Sequence, residues 1–186
     1  MARPPQRNAP SRRGQALVAE TPRLLIRLPE ERDAGPYHAI HADPDVTRWL
    51  GGVRPNSVED ELERIALRRA MQDDLGYTMW TVEEKESGKV VGLSGLFPVE
   101  KTGPDIELAY HYRKDRWGRG YATEAARACL DYGFGAGLDR IVGLVAPHNR
   151  ASAHVLEKCG MRLVGPVRYY DTDLVEYELH AKDRSV

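Results

Sequence analysis

The chain has 186 residues, of which 41% are apolar and 30% charged, the balance of a globular domain with its own core. Its net charge is −1, but the first nineteen residues carry four arginines and no acid. Without their charge of +4, the rest of the chain has a net charge of −5. An acidic domain does not favour nucleic-acid binding. No apolar run reaches membrane-spanning length, and the two cysteines lack metal-ligand or redox spacing. These features predict a cytoplasmic protein without nucleic-acid, membrane or metal partners.

Residues 1–19 contain three prolines and four arginines and show no hydrophobic periodicity. This composition is typical of a disordered segment at a chain terminus. We therefore expect a disordered basic tail over residues 1–19 and one folded domain over residues 20–186.

The first half of the domain reads as one strand, two helices and a hairpin. The strand covers residues 21–28, and a helix over 30–42 is ended by Asp43-Pro44. A second helix, over 58–74, begins after Ser57 and ends at Gly76; Asp60 is placed to complete a capping box with Ser57. Strands over 77–82 and 89–97 surround a polar turn and predict an antiparallel hairpin.

The second half alternates strands and helices before a last hairpin. We expect strands over 106–112 and 140–146, helices over 122–134 and 149–160, and hairpin strands over 161–169 and 174–180. The order β-α-α-β-β-β-α-β-α-β-β predicts an α+β (α/β) fold. Its sheet is mixed, mostly antiparallel and six- to seven-stranded, with helices on both faces.

The most informative segment is residues 116–125, Arg-Trp-Gly-Arg-Gly-Tyr-Ala-Thr-Glu-Ala, between a predicted strand and a predicted helix. Two glycines at alternate positions let the backbone turn tightly and approach a ligand closely. The first N–H groups of the helix have no intrahelical partner, and the helix dipole makes that end positive. Together with Arg116 and Arg119, this arrangement predicts an anion-binding turn, most often for phosphate.

Two phosphate-binding motifs do not match the turn. A nucleotide P-loop needs Gly-x4-Gly-Lys-Ser/Thr, which the chain lacks. A dinucleotide fold needs a third glycine, which is missing from residues 118–123. Asp139 has about the spacing of a ribose-binding acid, but it precedes the next predicted strand instead of following it.

The stretches Ile-Glu-Leu-Ala-Tyr-His-Tyr (106–112) and Trp-Gly-Arg-Gly-Tyr-Ala-Thr-Glu-Ala (117–125) resemble the acyl-CoA motif of the GNAT superfamily of N-acetyltransferases. Within that superfamily they resemble the RimJ/RimL-like branch, because Trp117 stands where most members have Gln or Arg. Residues 20–27, 43–50 and 149–160 resemble further segments of this branch, in the same order. The resemblance therefore covers almost the whole predicted domain.

The resemblance implies acetyl-CoA as a cosubstrate and no metal. Backbone N–H groups of residues 118–122 would bind the CoA pyrophosphate. In the family, the fourth and fifth strands splay apart, and the pantetheine arm pairs with the fourth strand. There a backbone N–H near Tyr110 would stabilise the thioester oxyanion, by roughly 3 kcal/mol for a well-placed donor. The implied CoA-binding residues are Tyr110, His111, Tyr112, Trp117, Gly118, Arg119, Gly120, Tyr121, Ala122, Thr123 and Asn149.

The candidate general base is Glu107, an acid inside an apolar strand and on the same face as His111, the second candidate. Glu176 and Glu178 on the last strand are alternatives, although their alternation predicts a solvated face.

Many family members place a Tyr near the departing thiol, and the matching position in this chain is Leu156. Ser152 matches a Ser of the RimJ/RimL-like branch and is, with Glu107, the other catalytic residue that we predict. Asn149 and Ser152 are equally suited to capping a helix. Trp49, next to Gly51-Gly52, is the candidate for the substrate pocket.

The resemblance implies acetyl transfer from acetyl-CoA to a primary amine by direct attack in a ternary complex. The acceptor is a protein N-terminus or a small-molecule amine, and a homodimer is left open. The alternative is a catalytically degenerate acyl-CoA-binding regulatory or interaction domain, with which the absent Tyr is compatible.

Overall fold

The computed structural model describes residues 17–50 and 57–184, which form eight strands and five α-helices. The strands are β1 (Leu17–Glu20), β2 (Leu24–Arg27), β3 (Met79–Glu84), β4 (Lys89–Pro98), β5 (Ile106–Tyr112), β6 (Arg140–Val145), β7 (Arg162–Tyr169) and β8 (Thr172–His180). The helices are α1 (Ala34–His41), α2 (Pro44–Thr47), α3 (Val58–Leu75), α4 (Tyr121–Gly135) and α5 (Arg150–Lys158). None of these helices is long and apolar enough to cross a membrane.

All eight strands belong to one sheet, in the order β1-β2-β3-β4-β5-β6-β8-β7. Every neighbouring pair is antiparallel except β5 and β6, which are parallel and joined through α4. The predicted mixed, mostly antiparallel sheet is thus confirmed. β5 and β6 are the fourth and fifth strands of the sequence prediction. They pair at Glu107 and Val142 alone and then separate, which agrees with the splayed strands that the family resemblance implies.

Helices cover both faces of the sheet, as predicted. On one face α4 packs with its small residues Ala125, Ala126 and Cys129, all 1% exposed or less. On the other face α1 and α3 pack against β3 and β4 through a second apolar cluster around Tyr37 and Ile65. The opening between β5 and β6 is therefore bounded by different helices on its two sides.

The N-terminal edge of the sheet differs from the prediction of one strand over 21–28. Thr21 N–H and Oγ1 bond the carbonyl of Leu24 at 3.0 and 3.3 Å, so the chain turns there and β1 folds back on β2. This turn brings the strand count to eight. β1 begins at Leu17, inside the stretch assigned to the tail, and residues 1–16 lie outside the described part of the chain.

Two local signals had different outcomes. Ser57 and Asp60 form the predicted capping box of α3, and Gly76 ends that helix with φ 83°. Asp43-Pro44 follows the end of α1, as predicted, but the predicted element order lacks the short helix α2 that begins there. Asp43 accepts a hydrogen bond from the N–H of Asp45 and caps α2, with Pro44 at the first helical position.

Candidate active site

The glycine turn before α4 has the backbone geometry that the sequence predicts. Gly118 and Gly120 have φ 71° and 78°, a region that side chains disfavour. A Cβ on Gly118 would meet nothing within 4 Å, and one on Gly120 would meet only Nη2 of Arg23, at 3.4 Å. The outer surface of the turn is thus bare backbone, which a ligand can approach closely.

The N-terminus of α4 is electrostatically suited to an anion. Gly120 is the N-cap and offers no side-chain acceptor, and the backbone N–H groups of residues 118–123 make no hydrogen bond within the described part of the chain. Glu124 in the first turn is engaged elsewhere, with Thr21 and Arg23. These donors and the positive end of the helix dipole remain available to a phosphate.

Two side chains anchor the turn. Arg23 donates to the carbonyl of Arg119 at 2.8 Å, and its guanidinium lies 4.6 Å from the ring centre of Tyr121. The indole N–H of Trp117 donates to the carbonyl of Tyr112, at the end of β5, at 2.9 Å. Trp117 therefore joins the turn to the strand that borders the opening.

A cavity of about 590 Å³ runs from the glycine turn into the gap between β5 and α5, and every charged side chain in its described lining is basic. A polyanion fits such a lining, although the domain as a whole is acidic. The Arg and Lys residues of the lining are Arg48, Arg116, Arg150 and Lys158. A second cavity, of about 640 Å³, lies beside α5, and Asn149 is the one predicted site residue in it.

Most predicted site residues line the first cavity, but two do not. Glu107 lies deeper, at the closed end of the gap, and Arg119 lies outside the lining, so the part assigned to the Arg119 side chain stays a prediction. The predicted residues that line the cavity are Trp49, Tyr110, His111, Tyr112, Trp117, Gly118, Gly120, Tyr121, Ala122, Thr123, Asn149 and Ser152.

Tyr110 and Ser152 meet across the gap. The Tyr110 hydroxyl lies 2.9 Å from the Ser152 hydroxyl and donates to the Ser152 carbonyl at 3.0 Å. Burial raises the pKa of Tyr110 above its ordinary value, so the phenol keeps its proton. Asn149 caps α5, because its Oδ1 accepts from the Ser152 N–H at 3.2 Å. The capping interpretation thus holds for Asn149, while the Ser152 side chain faces Tyr110.

The candidate base Glu107 is 8% exposed and accepts a hydrogen bond from the Tyr170 hydroxyl at 2.9 Å. Burial raises the pKa of its carboxyl from 4.5 to about 7, against a smaller opposite effect of that hydrogen bond. Such a pKa suits a base at neutral pH, but the carboxyl is absent from the cavity lining. Glu107 as the base stays a prediction.

The alternative acids on β8 are engaged in ion pairs. Arg140 bonds both Glu176 and Glu178, the latter at 2.6 Å, and Arg162 adds a second partner to Glu178 at 2.5 Å. These contacts lower the pKa of Glu178. Neither acid lines the cavity.

The structure adds a chain of contacts that sequence reasoning missed. His111 Nδ1 lies 3.2 Å from His41 Nε2, at the end of α1, and His41 Nδ1 bonds Oε1 of Glu61, on α3. Burial and the neighbouring His41 lower the pKa of His111 to about 3, so the ring is neutral near pH 7. No local sequence pattern could reveal these contacts, because Glu61, His41 and His111 come from three separate elements.

The position of the absent Tyr is filled by core packing. Leu156 is 1% exposed. It packs so closely on Gly143 of β6 that a Cβ added to this glycine would lie 2.6 Å from Cδ1 of Leu156. Of the two residues considered near a departing thiol, Ser152 alone lines the cavity. Trp49 lines the α2 end of the cavity, with the Arg48 guanidinium 5.0 Å from its ring centre.

Comparison with known proteins gives consistent matches. The sequence profile of the Acetyltransferase (GNAT) domain matches residues 23–162. The uncharacterized N-acetyltransferase YnaD of Bacillus subtilis is 40% identical over 148 residues, which cover 78% of this chain and 82% of YnaD.

Solved structures share the fold as well. The acetyltransferase from Agrobacterium tumefaciens has a TM-score of 0.74 and 28% identity, covering 87% of this chain and 93% of its own. Mycobacterium smegmatis RimJ, solved with CoA-disulfide, has a TM-score of 0.75 at 23% identity and covers 86% of this chain and 83% of its own. At that identity, the RimJ match shows the fold alone.

Proposed function

The chain belongs to the GNAT family of acetyltransferases, and from that premise we propose that it transfers an acetyl group from acetyl-CoA to a primary amine. The observation that carries the proposal is that the glycine turn, the unpaired edge of β5 and Ser152 open into one cavity. We place the chain in the RimJ/RimL-like branch on Trp117, which joins the turn to β5.

The donor side of the cavity fits CoA. Backbone N–H groups of residues 118–123 and the N-terminus of α4 would hold the pyrophosphate, and Arg116, Arg150 and Lys158 would add positive charge. Beyond Glu107, the side of β5 that faces β6 has no strand partner among the described residues, so residues 108–112 would pair with the pantetheine arm.

When bound, acetyl-CoA supplies an activated thioester. A β5 backbone N–H near Tyr110 would donate to the thioester carbonyl oxygen, and the Ser152 hydroxyl, 2.9 Å from that of Tyr110, would turn its hydrogen to the departing sulfur. If no group nearer the cavity takes the proton of the amine, Glu107, with a pKa of about 7, would accept it through water from the closed end of the gap. Direct attack requires donor and acceptor in the cavity together, so holding both in place would supply much of the acceleration.

The acceptor would enter on the α2 side, where Trp49 offers an aromatic surface. We propose a peptide N-terminus or a small amine that is not polycationic, because the described lining has no carboxylate to pair with several ammonium groups.

An acceptor screen tests this function. Purified full-length protein is mixed with acetyl-CoA and a panel of peptides and small primary amines, and thiol release is compared with that from N-acetylated forms of the same compounds. Release that depends on a free amine supports the proposal. CoA binding with no amine-dependent release would instead favour the acyl-CoA-binding regulator, with which Leu156 in place of Tyr is compatible.

A further inference from the structure

We propose that Glu61, His41 and His111 form a proton relay that ends at the acceptor side of the cavity, with His111 Nε2 receiving the proton of the acceptor amine. The proposal deepens the proposed function and rests on it. It names a general base that lies nearer the cavity than Glu107.

The relay is built by three packed elements. His41 is the last residue of α1, Glu61 lies in the first turn of α3, and His111 lies on β5. His41 and Glu61 are 6% and 0% exposed. The two imidazole rings meet edge to face, with centres 5.3 Å apart, and the contact between Nε2 and Nδ1 is partly buried.

The proposed relay assigns one tautomer to each ring. In it, the Glu61 carboxylate accepts a hydrogen bond from His41 Nδ1–H. His41 Nε2 carries no hydrogen and accepts a hydrogen bond from His111 Nδ1, 3.2 Å away. His111 Nε2 is then left without a hydrogen and with its lone pair free.

His111, which would carry the free lone pair, is one of the residues that line the cavity. His111 shares that lining with Val46 and Trp49 of the α2 region, and its Nε2 has no hydrogen-bond partner in the described part of the chain. It is also not one of the buried polar atoms that lack a partner there. The nitrogen is thus open to a small ligand group.

The surroundings explain why His111 needs a relay. The side chains around it include the cationic Arg64 and Arg68 on α3, which together with burial and His41 disfavour a proton held on His111 itself and lower its pKa. Passing a proton on to His41 moves the positive charge next to the Glu61 carboxylate, where it is stabilised.

The proton transfer balances as follows. The acceptor enters as an ammonium ion, and one of its protons passes to His111 Nε2 while the Nδ1 proton of His111 passes to His41 Nε2. The freed lone pair of the nitrogen forms the bond to the acetyl carbon, the carbon–sulfur bond breaks, and the thiolate leaves with the electrons of that bond and takes up a second N–H proton. The His41 imidazolium remains paired with Glu61 until its extra proton returns through His111 to water.

Matched variants test the relay. Gln at position 41 can still accept from His111 Nδ1 but cannot take up a proton, so His41→Gln separates proton uptake from positioning. Glu61→Gln removes the carboxylate. Both should lower kcat by about 100-fold, the lower range for general-base catalysis, without changing the affinity for CoA measured by calorimetry. His38→Gln, on the same helix but outside the contacts of the relay, should leave kcat unchanged.

The pH profile distinguishes a proton acceptor from a structural residue. Once the amine is neutral in solution it needs no base, so the deficit of His41→Gln should shrink as the pH rises towards the amine's own pKa. A deficit that stays constant with pH, or wild-type kcat in both variants, would overturn the relay. If the wild-type protein acetylates no amine, the proposed function itself has failed, a distinct outcome.

A measurement on the wild-type protein avoids the risk that a variant does not fold. Two-dimensional NMR of the imidazole nitrogens should show His111 protonated on Nδ1 and unprotonated on Nε2 near pH 7, with His41 also protonated on Nδ1. A hydrogen on His111 Nε2 would overturn the proposal whatever the kinetics of the variants.

Discussion

Glu107 of β5 and Val142 of β6 are the last residues at which these two parallel strands pair before they separate. Beyond them, the free edge of β5 faces a gap that is bordered by α5 and by the glycine turn of α4. The pair thus marks the closed end of the candidate active site. Beyond it, the backbone of β5 has no strand partner on this side among the described residues, so it would be available to an extended ligand.

We predict that Gly120→Glu abolishes CoA binding. The new side chain would require a left-handed backbone at φ 78° and would place a negative charge at the N-terminus of α4, where phosphate is expected. Isothermal titration calorimetry with CoA measures the effect. Gly135→Glu, near the other end of α4 and with nothing within 4 Å of its added Cβ, is the control and should keep the affinity. Unchanged affinity in Gly120→Glu would refute the site.

For Ser152, the prediction concerns the departing thiol. Ser152→Ala removes the hydroxyl that lies 2.9 Å from Tyr110, so kcat should fall about tenfold, the equivalent of one hydrogen bond. Ser152→Thr keeps a hydroxyl and should retain most of the activity. Steady-state kinetics with a saturating acceptor provides the measurement. Equal kcat for Ser152→Ala and the wild type would exclude the role.

Glu107 should make the stability of the fold pH-dependent. Its pKa is about 7 in the fold and 4.5 in the unfolded chain, so the folded state binds more protons between these values. The stability it contributes is complete below pH 4.5 and is lost as the pH rises to about 7. Since a pKa unit equals about 1.4 kcal/mol, the loss is about 3 kcal/mol.

Glu107→Gln tests this, because the amide can still accept from Tyr170 but cannot ionise. The variant should gain stability over the wild type between pH 4.5 and about 7, as measured by urea unfolding at several pH values. A difference that does not change with pH would show that Glu107 is ionised at little cost. The same variant tests its role as the base, since our relay predicts near-normal turnover in Glu107→Gln.

His111 should change the stability of the fold with pH in the opposite direction to Glu107 and should destabilise the fold in acid. Its pKa falls from 6.5 to about 3 on folding, so the unfolded chain binds more protons between these values. Stability should decrease as the pH falls below 6.5. His111→Gln should remove part of this dependence. Identical acid unfolding of the variant and the wild type would contradict the neutral, buried ring.

The donor side of the site could be predicted from the sequence because its signals are local. Gly118 and Gly120 report backbone conformation directly, and Trp117 and Thr123 stand at known positions relative to a helix start. The capping box of Ser57 and Asp60 was predictable for the same reason. Each of these signals depends on residues that are neighbours in the chain.

Long-range packing was not predictable in this way. Glu107 looked like a base from its place in an apolar strand, but the contact with Tyr170 comes from a hairpin sixty-three residues later. The contacts of His111 likewise come from α1 and α3. A pattern along one strand indicates which face a side chain takes, but it does not indicate which distant side chains share that face.

Acetyl transfer itself is tested most directly by a single turnover followed with mass spectrometry. Excess protein is mixed with acetyl-CoA and an amine identified by the screen, and the acceptor, the thiol and the protein are quantified together. We predict one acetylated amine for each thiol released, with no acetyl group on the protein at any time. Acetylated protein that forms before the product, or bound acetyl-CoA that remains intact in the presence of every amine, would contradict direct transfer.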